Sequence, residues 1–352
     1  MTARRAVVAP TVKAPFFAGI GDSRHRVDVS RHPVDWLCRS TALPCRRRCP
    51  MSSDDNLRHA CRQCGGSCQG VEVALTGEDE AQRILQQAGV LGVSEPLNGR
   101  RLRRVGGRCV FLDDDGLCRI HAKWGLLAKP LVCRQYPLVV LDADGEQRIG
   151  IDPGCFTHSQ TWRSGPSIGN QPAAVSRVAL PAAAQPLEQR VLALIDGSRD
   201  LITPLAALTG ETEWPTAYLH RWIAALQRID LPSLLADPDT SPSLTDALTP
   251  LAEALPALNE RELSPPALSD EMVAYTLDAT SRMVWLRLCT QLPSPAAVAL
   301  LALSGAVSCA WVSDDEETYG RALAGWLRSM RAPAVLGRLF GQPGSFEALM
   351  GR

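Results

Sequence analysis

Seven cysteines lie between positions 61 and 155, spaced C-x2-C-x3-C and then, after forty residues, C-x8-C-x14-C-x21-C. They are Cys61, Cys64, Cys68, Cys109, Cys118, Cys133 and Cys155. Thiolates are soft donors, and several sulfurs converging on one centre suit zinc or an iron–sulfur cluster better than a hard cation. Turns between short spacings allow that convergence without requiring a helix or a strand. In CRQCGGSC, Gly65 and Gly66 leave the backbone room to fold around an ion or cluster and offer N–H groups to its sulfurs. Seven thiols exceed one tetrahedral site, so either three are supporting residues or two centres are present. Spacing alone does not choose between zinc and iron–sulfur.

Other chemistries fit less of the pattern. A C-x-x-C pair also suits thiol exchange, and a disulfide framework needs an oxidising compartment; with no secretory signal pattern, a cytoplasmic metal-binding cluster is expected. His121, three positions past Cys118, and His158 are imidazole candidates, read first as hydrogen-bonding histidines. Arg134, beside Cys133, is placed to hold the negative charge of a thiolate cluster or a carboxylate, or to form a surface ion pair. Asp113 to Asp115 and Asp142 with Asp144 lack the spacing and the bidentate Glu of a calcium loop and read as turns. Arg100, Arg101, Arg103, Arg104 and Arg108 would alternate faces on a strand, which predicts a solvated edge rather than an anion patch.

The elements that position the thiols are short. Val71, Val73 and Leu75 alternate as a strand would; Thr76 is a candidate cap for a helix with Ala81, Ile84, Leu85 and Ala88 on one face and Gly89 at its end. From Arg101 the pattern predicts hairpins: RLRRV and CVFL about Gly106-Gly107, then LCRIH after the Asp113–Gly116 turn, then LVVL and QRIGI about Asp142–Gly145. Asp152-Pro153-Gly154 turns the chain into Cys155.

Near residue 165 the texture becomes that of a Gly, Pro, Ser and Ala linker. Beyond it the pattern predicts helices over Leu187–Ile195, Leu201–Leu208, Trp214–Gln227, Ser243–Leu258, Ser269–Thr290, Ala296–Val312 and Glu317–Met330. Within them RVLALIDGSRDLITPLAALTG has a helix-turn-helix rhythm but no basic recognition helix, so it reads as core packing. The expected fold class is α+β: a small cysteine-rich module with short hairpins at 51–165, then an all-α domain at 166–352.

Here the motifs carry a resemblance. C-x-x-C-G-G-S-C, GRCVFLDDDGLCRIHAKWG, KPLVCRQYP and a last cysteine after a hairpin resemble the YkgJ-type cysteine-cluster family, a zinc- or iron-chelating domain, over about residues 58 to 158. That family includes the flagellin lysine N-methylases, and this resemblance implies a 4Fe-4S cluster, S-adenosylmethionine as methyl donor and a protein substrate. Where the family has C-x-x-C-x-x-C-C, this chain has Ser67 before Cys68, so one thiolate is absent. Neither a Gly-rich nucleotide loop nor the C-x3-C-x2-C spacing of radical S-adenosylmethionine enzymes is present. Catalytic and cofactor-binding residues are therefore not assignable from the sequence. The alternative is a non-enzymatic, zinc-stapled binding or accessory protein.

Composition sets the outer bounds. At 352 residues the chain has room for two domains with real cores, so size alone does not call for metal staples. Lys+Arg and Asp+Glu are equal at 37 each, which gives no reason to expect nucleic acid or an anionic membrane as partner. Residues 1–50 nevertheless hold ten basic and three acidic residues, a basic extension whose exclusion from the folded part, with synthesis starting at Met51, is the expectation. Ala296–Val312 is apolar but shorter than the ~20 residues of a bilayer span, so a buried helix is expected.

Overall fold

The computed structural model describes residues 57–70, 73–168, 175–238, 240–260, 263–289, 291–292, 294–340 and 345–351. All of these fall within one contact-defined unit, Leu43–Arg352. The basic extension, Cys38, Cys45, Cys49, Met51 and Val71 lie outside the described residues.

Frequent turn residues cut the cysteine module into very short elements. Helix α1 covers Gly66–Gly70, inside the first cysteine motif, and α2 covers Glu78–Leu91. Thr76 does not cap α2. Gly77 precedes the helix, and the Thr76 N–H and hydroxyl both donate to Glu80, at 2.7 and 2.9 Å. The helix also runs through Gly89 to Gly92, whose φ of 66° supplies the left-handed stop. Ala81, Ile84 and Ala88 are buried as expected, whereas Leu85 is exposed.

Strand β1, Leu97–Asn98, pairs antiparallel with β2, Arg101–Leu102; β3, Arg104–Val105, pairs with β4, Arg108–Cys109, about Gly106-Gly107. Val73 and Leu75 are buried and Ala74 bridges Arg101, but no longer strand forms there among the described residues. After the aspartate turn, LCRIH does not return as a strand. A single bridge joins Leu112 to Cys118, and helix α3, Arg119–Trp124, then begins, burying Ile120 against Ile84 and Phe111. Leu126–Ala128 form a 3-10 turn and Leu131–Gln135 form α4.

The longest pairing is β5, Leu138–Ala143, with β6, Glu146–Ile151, in the register Leu138↔Ile151. The segment read as linker adds β7, Val175–Arg177, parallel to β5 on its other edge. An unpaired strand edge offers a row of donors and acceptors, and β7 satisfies part of that row.

The second half is helical as expected: α5 Gln185–Asp196, α6 Ile202–Thr209, α7 Thr216–Arg228, α8 Leu231–Leu235, α9 Pro242–Glu260, α10 Asp270–Trp285, α11 Pro295–Ala310, α12 Glu316–Ser329, α13 Pro333–Phe340 and α14 Ser345–Met350. Helix α10 stops at Trp285 rather than at residue 290, and the short α8, α13 and α14 add to the expected set. Helix α11 is apolar on all sides because it is buried on nearly all sides. Its Ser304 and Ser308 take hydrogen bonding with Tyr218 and Trp222 (2.9 Å each), and Gly305 leaves the space that Trp326 fills. Among the described residues, no helix is long and apolar enough to cross a membrane.

A buried charge network ties the β5–β6 hairpin to the helices. Glu188 on α5 accepts from Arg148 of β6 at 2.9 Å and from Arg287 at 2.9 Å, and Arg287 also pairs with Asp144 at 2.8 Å. Arg148 lies over the Trp285 ring, 4.1 Å from its centre.

Candidate metal centre

Glycine brings the first cysteine motif to the second. Gly65 has φ +66°, and a Cβ there would stand 2.4 Å from the carbonyl oxygen of Gly116. Only glycine permits that approach, which lays the Cys61–Cys68 loop against the turn between Cys109 and Cys118. The turn itself is held by Asp113, whose carboxylate accepts the Leu117 N–H at 2.7 Å and whose carbonyl accepts the Gly116 N–H at 3.1 Å. Cys118 then precedes α3, and Cys133 lies on α4.

These placements draw the thiols into one electrostatic neighbourhood. Cys68 lies within range of Cys61, Cys64 and Cys118; Cys133 within range of Cys68, Cys109 and Cys118; Cys155 within range of Cys64. All seven are free thiols. They form a gradient from solvent to core. Cys61 and Cys64 are exposed, Cys155 is buried, and Cys109, Cys118 and Cys133 pack against the Ile84, Phe111 and Ile120 core.

Burial raises Cys68, Cys109, Cys133 and Cys155, and neighbouring thiols add to the rise. Cys109 is pushed up to about 11 by burial, helped by Cys68 and Cys118 and opposed by the Phe111 backbone N–H and Lys129. Burial drives Cys133 higher still, with Lys129 opposing and Cys68, Cys109 and Cys118 adding to the rise. Cys68 and Cys155 are raised from the same first cause. Buried thiols that repel each other's charge stay protonated unless a cation compensates, and a bound metal is such a cation.

The donor set therefore fits zinc or iron in its chemistry. Its spacing is open: among the described residues, no three His, Cys, Asp or Glu side chains are gathered closely enough to hold one metal ion.

The histidine candidates stand apart from the thiols in role. His121 is half-buried on α3, and its carbonyl accepts the Gly125 N–H that ends the helix. His158 is buried, neither ring nitrogen has a hydrogen-bond partner, and its ring stands edge-on to His59 (5.9 Å) and Tyr275 (5.8 Å). Arg134 buries its Nε without a partner. Arg104 and Arg108 donate to nearby backbone carbonyls, at Gly107 and Asp113, and Arg103 donates to the Ser94 carbonyl ahead of β1. Asp142 accepts the Gly145 N–H at 2.9 Å, as a turn aspartate does. Cys289 and Cys309 are buried in the helical half, and the Cys289 thiol donates to the Met330 carbonyl.

Sequence reasoning missed what the helical half contributes. From α12, Arg328 donates to the carbonyl of Gly66 (3.0 Å) and to the Tyr136 hydroxyl (3.2 Å). Arg331 pairs with both oxygens of Asp152, three residues before Cys155. Gln69 accepts from the N–H and hydroxyl of Ser243 on α9, at 3.1 and 2.7 Å. No local pattern could announce these, because each partner lies more than a hundred residues away.

Residues 60–156 match the family model described as CxxCxxCC, "putative zinc- or iron-chelating domain". The cysteine module is similar to this domain, which agrees with the YkgJ-type resemblance of its motifs. No curated protein and no solved structure matches the chain.

Proposed function

We propose that the seven cysteines form a sulfur-ligated zinc or iron centre and that holding it is the working part of this protein. The observations that carry this reading are the match of residues 60–156 to a zinc- or iron-chelating domain and the Gly65–Gly116 contact, which lays the first three cysteines against the Cys109–Cys118 turn. Cys109, Cys118 and Cys133, packed against the module's core, and the half-buried Cys68 supply the inner donors, with buried Cys155; Cys61 and Cys64 supply the outer edge.

Two roles divide on the exposure of this edge. Structural zinc sites are closed, whereas reactive metal sites keep an open position. The methylase side of the resemblance implies an open centre, with a 4Fe-4S cluster, S-adenosylmethionine and a protein lysine substrate in the cytoplasm, and exposed Cys61 and Cys64 leave one edge of the centre accessible from solvent. Packing of Cys109, Cys118 and Cys133 on the core favours the other role, a zinc staple in an accessory protein.

Anaerobic purification followed by an absorbance spectrum and iron, sulfide and zinc analysis of one sample tests the proposal. Matched iron and sulfide support the open cluster and justify a methyl-transfer assay with S-adenosylmethionine. Stoichiometric zinc without colour supports the staple, and a metal-free chain under these conditions overturns the metal reading.

A further inference from the structure

We infer that Arg328 is a positioning residue of the metal centre, a single side chain from the helical half that locks three cysteine-bearing segments together. The inference rests on the metal reading above. Gly66, whose carbonyl takes Nη1, lies between Cys64 and Cys68; Tyr136, whose hydroxyl takes Nη2, follows Cys133 by three residues; Phe156, whose ring lies 4.5 Å from the guanidinium, adjoins Cys155. A Cβ on Gly66 would stand 2.7 Å from the Phe156 ring, so these segments are in van der Waals contact beneath the arginine.

The chemistry of the contacts distinguishes Arg328 from an ordinary ion-pairing residue. Its hydrogen-bond acceptors are a neutral carbonyl and a hydroxyl, its Nε is buried without a partner, and its neighbour Arg331 takes the nearby Asp152. A planar fork with donors in fixed directions can bridge two loops while its face covers a third aromatic residue; a lysine ammonium cannot do all three. Residues that orient metal ligands from outside the coordination sphere are worth about 10- to 100-fold in metal affinity. Arg328 acts here on three ligand-bearing segments at once.

The test uses the full chain and three variants: Arg328→Met, Arg328→Lys and, as a control on the exposed side of the same helix, Arg321→Met. Zinc(II), and in parallel ferrous iron with sulfide under anaerobic conditions, are loaded and then withdrawn by a chromophoric chelator. The expected result is a loss of about 10- to 100-fold in affinity for Arg328→Met, little rescue by Arg328→Lys and no change for Arg321→Met. Thermal midpoints with and without metal separate positioning from folding: a positioning role lowers the metal-loaded midpoint more than the metal-free one. Equal affinity in all variants, or equal lowering of both midpoints, overturns the inference and leaves the metal reading intact. A wild-type chain that takes up neither metal overturns both. Arg328→Lys keeps the charge and serves where Arg328→Met does not fold.

Discussion

Arg331, just past the end of α12, holds Asp152 through two hydrogen bonds, Nη1 to Oδ2 at 2.8 Å and Nη2 to Oδ1 at 2.5 Å. Asp152 also accepts the Gly154 N–H at 2.8 Å, so one carboxylate shapes the turn into Cys155 and anchors it to the helices. Burial alone would push its pKa up, but Arg331, the Gly154 N–H and Arg328 outweigh burial and hold it below the usual carboxylate range. Removing Arg331 leaves this charge buried with its chief partner gone. Arg331→Met is expected to destabilise the chain by about 3–5 kcal/mol, measured by urea unfolding. A loss below about 1 kcal/mol would mean that the pair is no more than a surface contact.

Gly65→Ala should damage the metal site specifically. The new methyl would strike the Gly116 carbonyl and the backbone would be forced to hold φ +66° with a side chain. Metal stoichiometry after loading is expected to fall to less than half that of the parent chain. Gly77→Ala is the control, since its φ is extended and a Cβ there meets nothing within 4 Å. Matching metal contents in the two variants would remove the Gly65–Gly116 contact from the site.

Thiol labelling should report the solvent-to-core gradient. In metal-free protein, iodoacetamide is expected to modify Cys61 and Cys64 first, because both are exposed. Cys109, raised to about 11, and Cys289 and Cys309, each raised to about 12 by burial, should react slowly at neutral pH, since the thiolate is the nucleophile. Metal loading should protect Cys61 and Cys64. Peptide mass mapping with and without metal checks this, and undiminished labelling of both in the loaded protein would exclude them as ligands.

Glu80 should make stability depend on acid. Burial pushes its carboxyl up, but the N–H groups of Thr76 and Leu131, the Thr76 hydroxyl and Arg83 together hold it below 4.5. A depressed folded-state pKa means that the unfolded chain binds the proton first, so the contribution is complete above the unfolded value and lost as pH falls through the folded one. The thermal midpoint of the parent chain is expected to drop below about pH 4.5, and that of Glu80→Gln to start lower and drop less over the same range. Parallel curves would assign the acid sensitivity to other groups.

The cysteine motifs and the turns between them were legible in the sequence because their signals are local. Cys61, Cys64, Gly65 and Cys68 sit within one eight-residue motif, Asp113 to Gly116 dictate one turn, and the strand-forming LVVL and QRIGI runs about Asp142–Gly145 dictate one hairpin. The misreadings fall where local and tertiary preferences part. LCRIH has strand-forming residues, yet burying Ile120 against Ile84 and Phe111 favours α3; Val175–Arg177 lie in linker-like sequence, yet the open edge of β5 recruits them.

The sequence by itself determined the soft-donor chemistry, the α+β class and the helical second half, since residue type and short-range periodicity suffice for these. Only the tertiary structure decided which thiols face solvent, which face the core, and that Arg328 of α12 and Arg331 just beyond it hold the cysteine-bearing segments. The reason is range: a turn or a helix face is set by residues a few positions apart, whereas a guanidinium meeting a carbonyl 262 residues away is set by the packing of the whole chain.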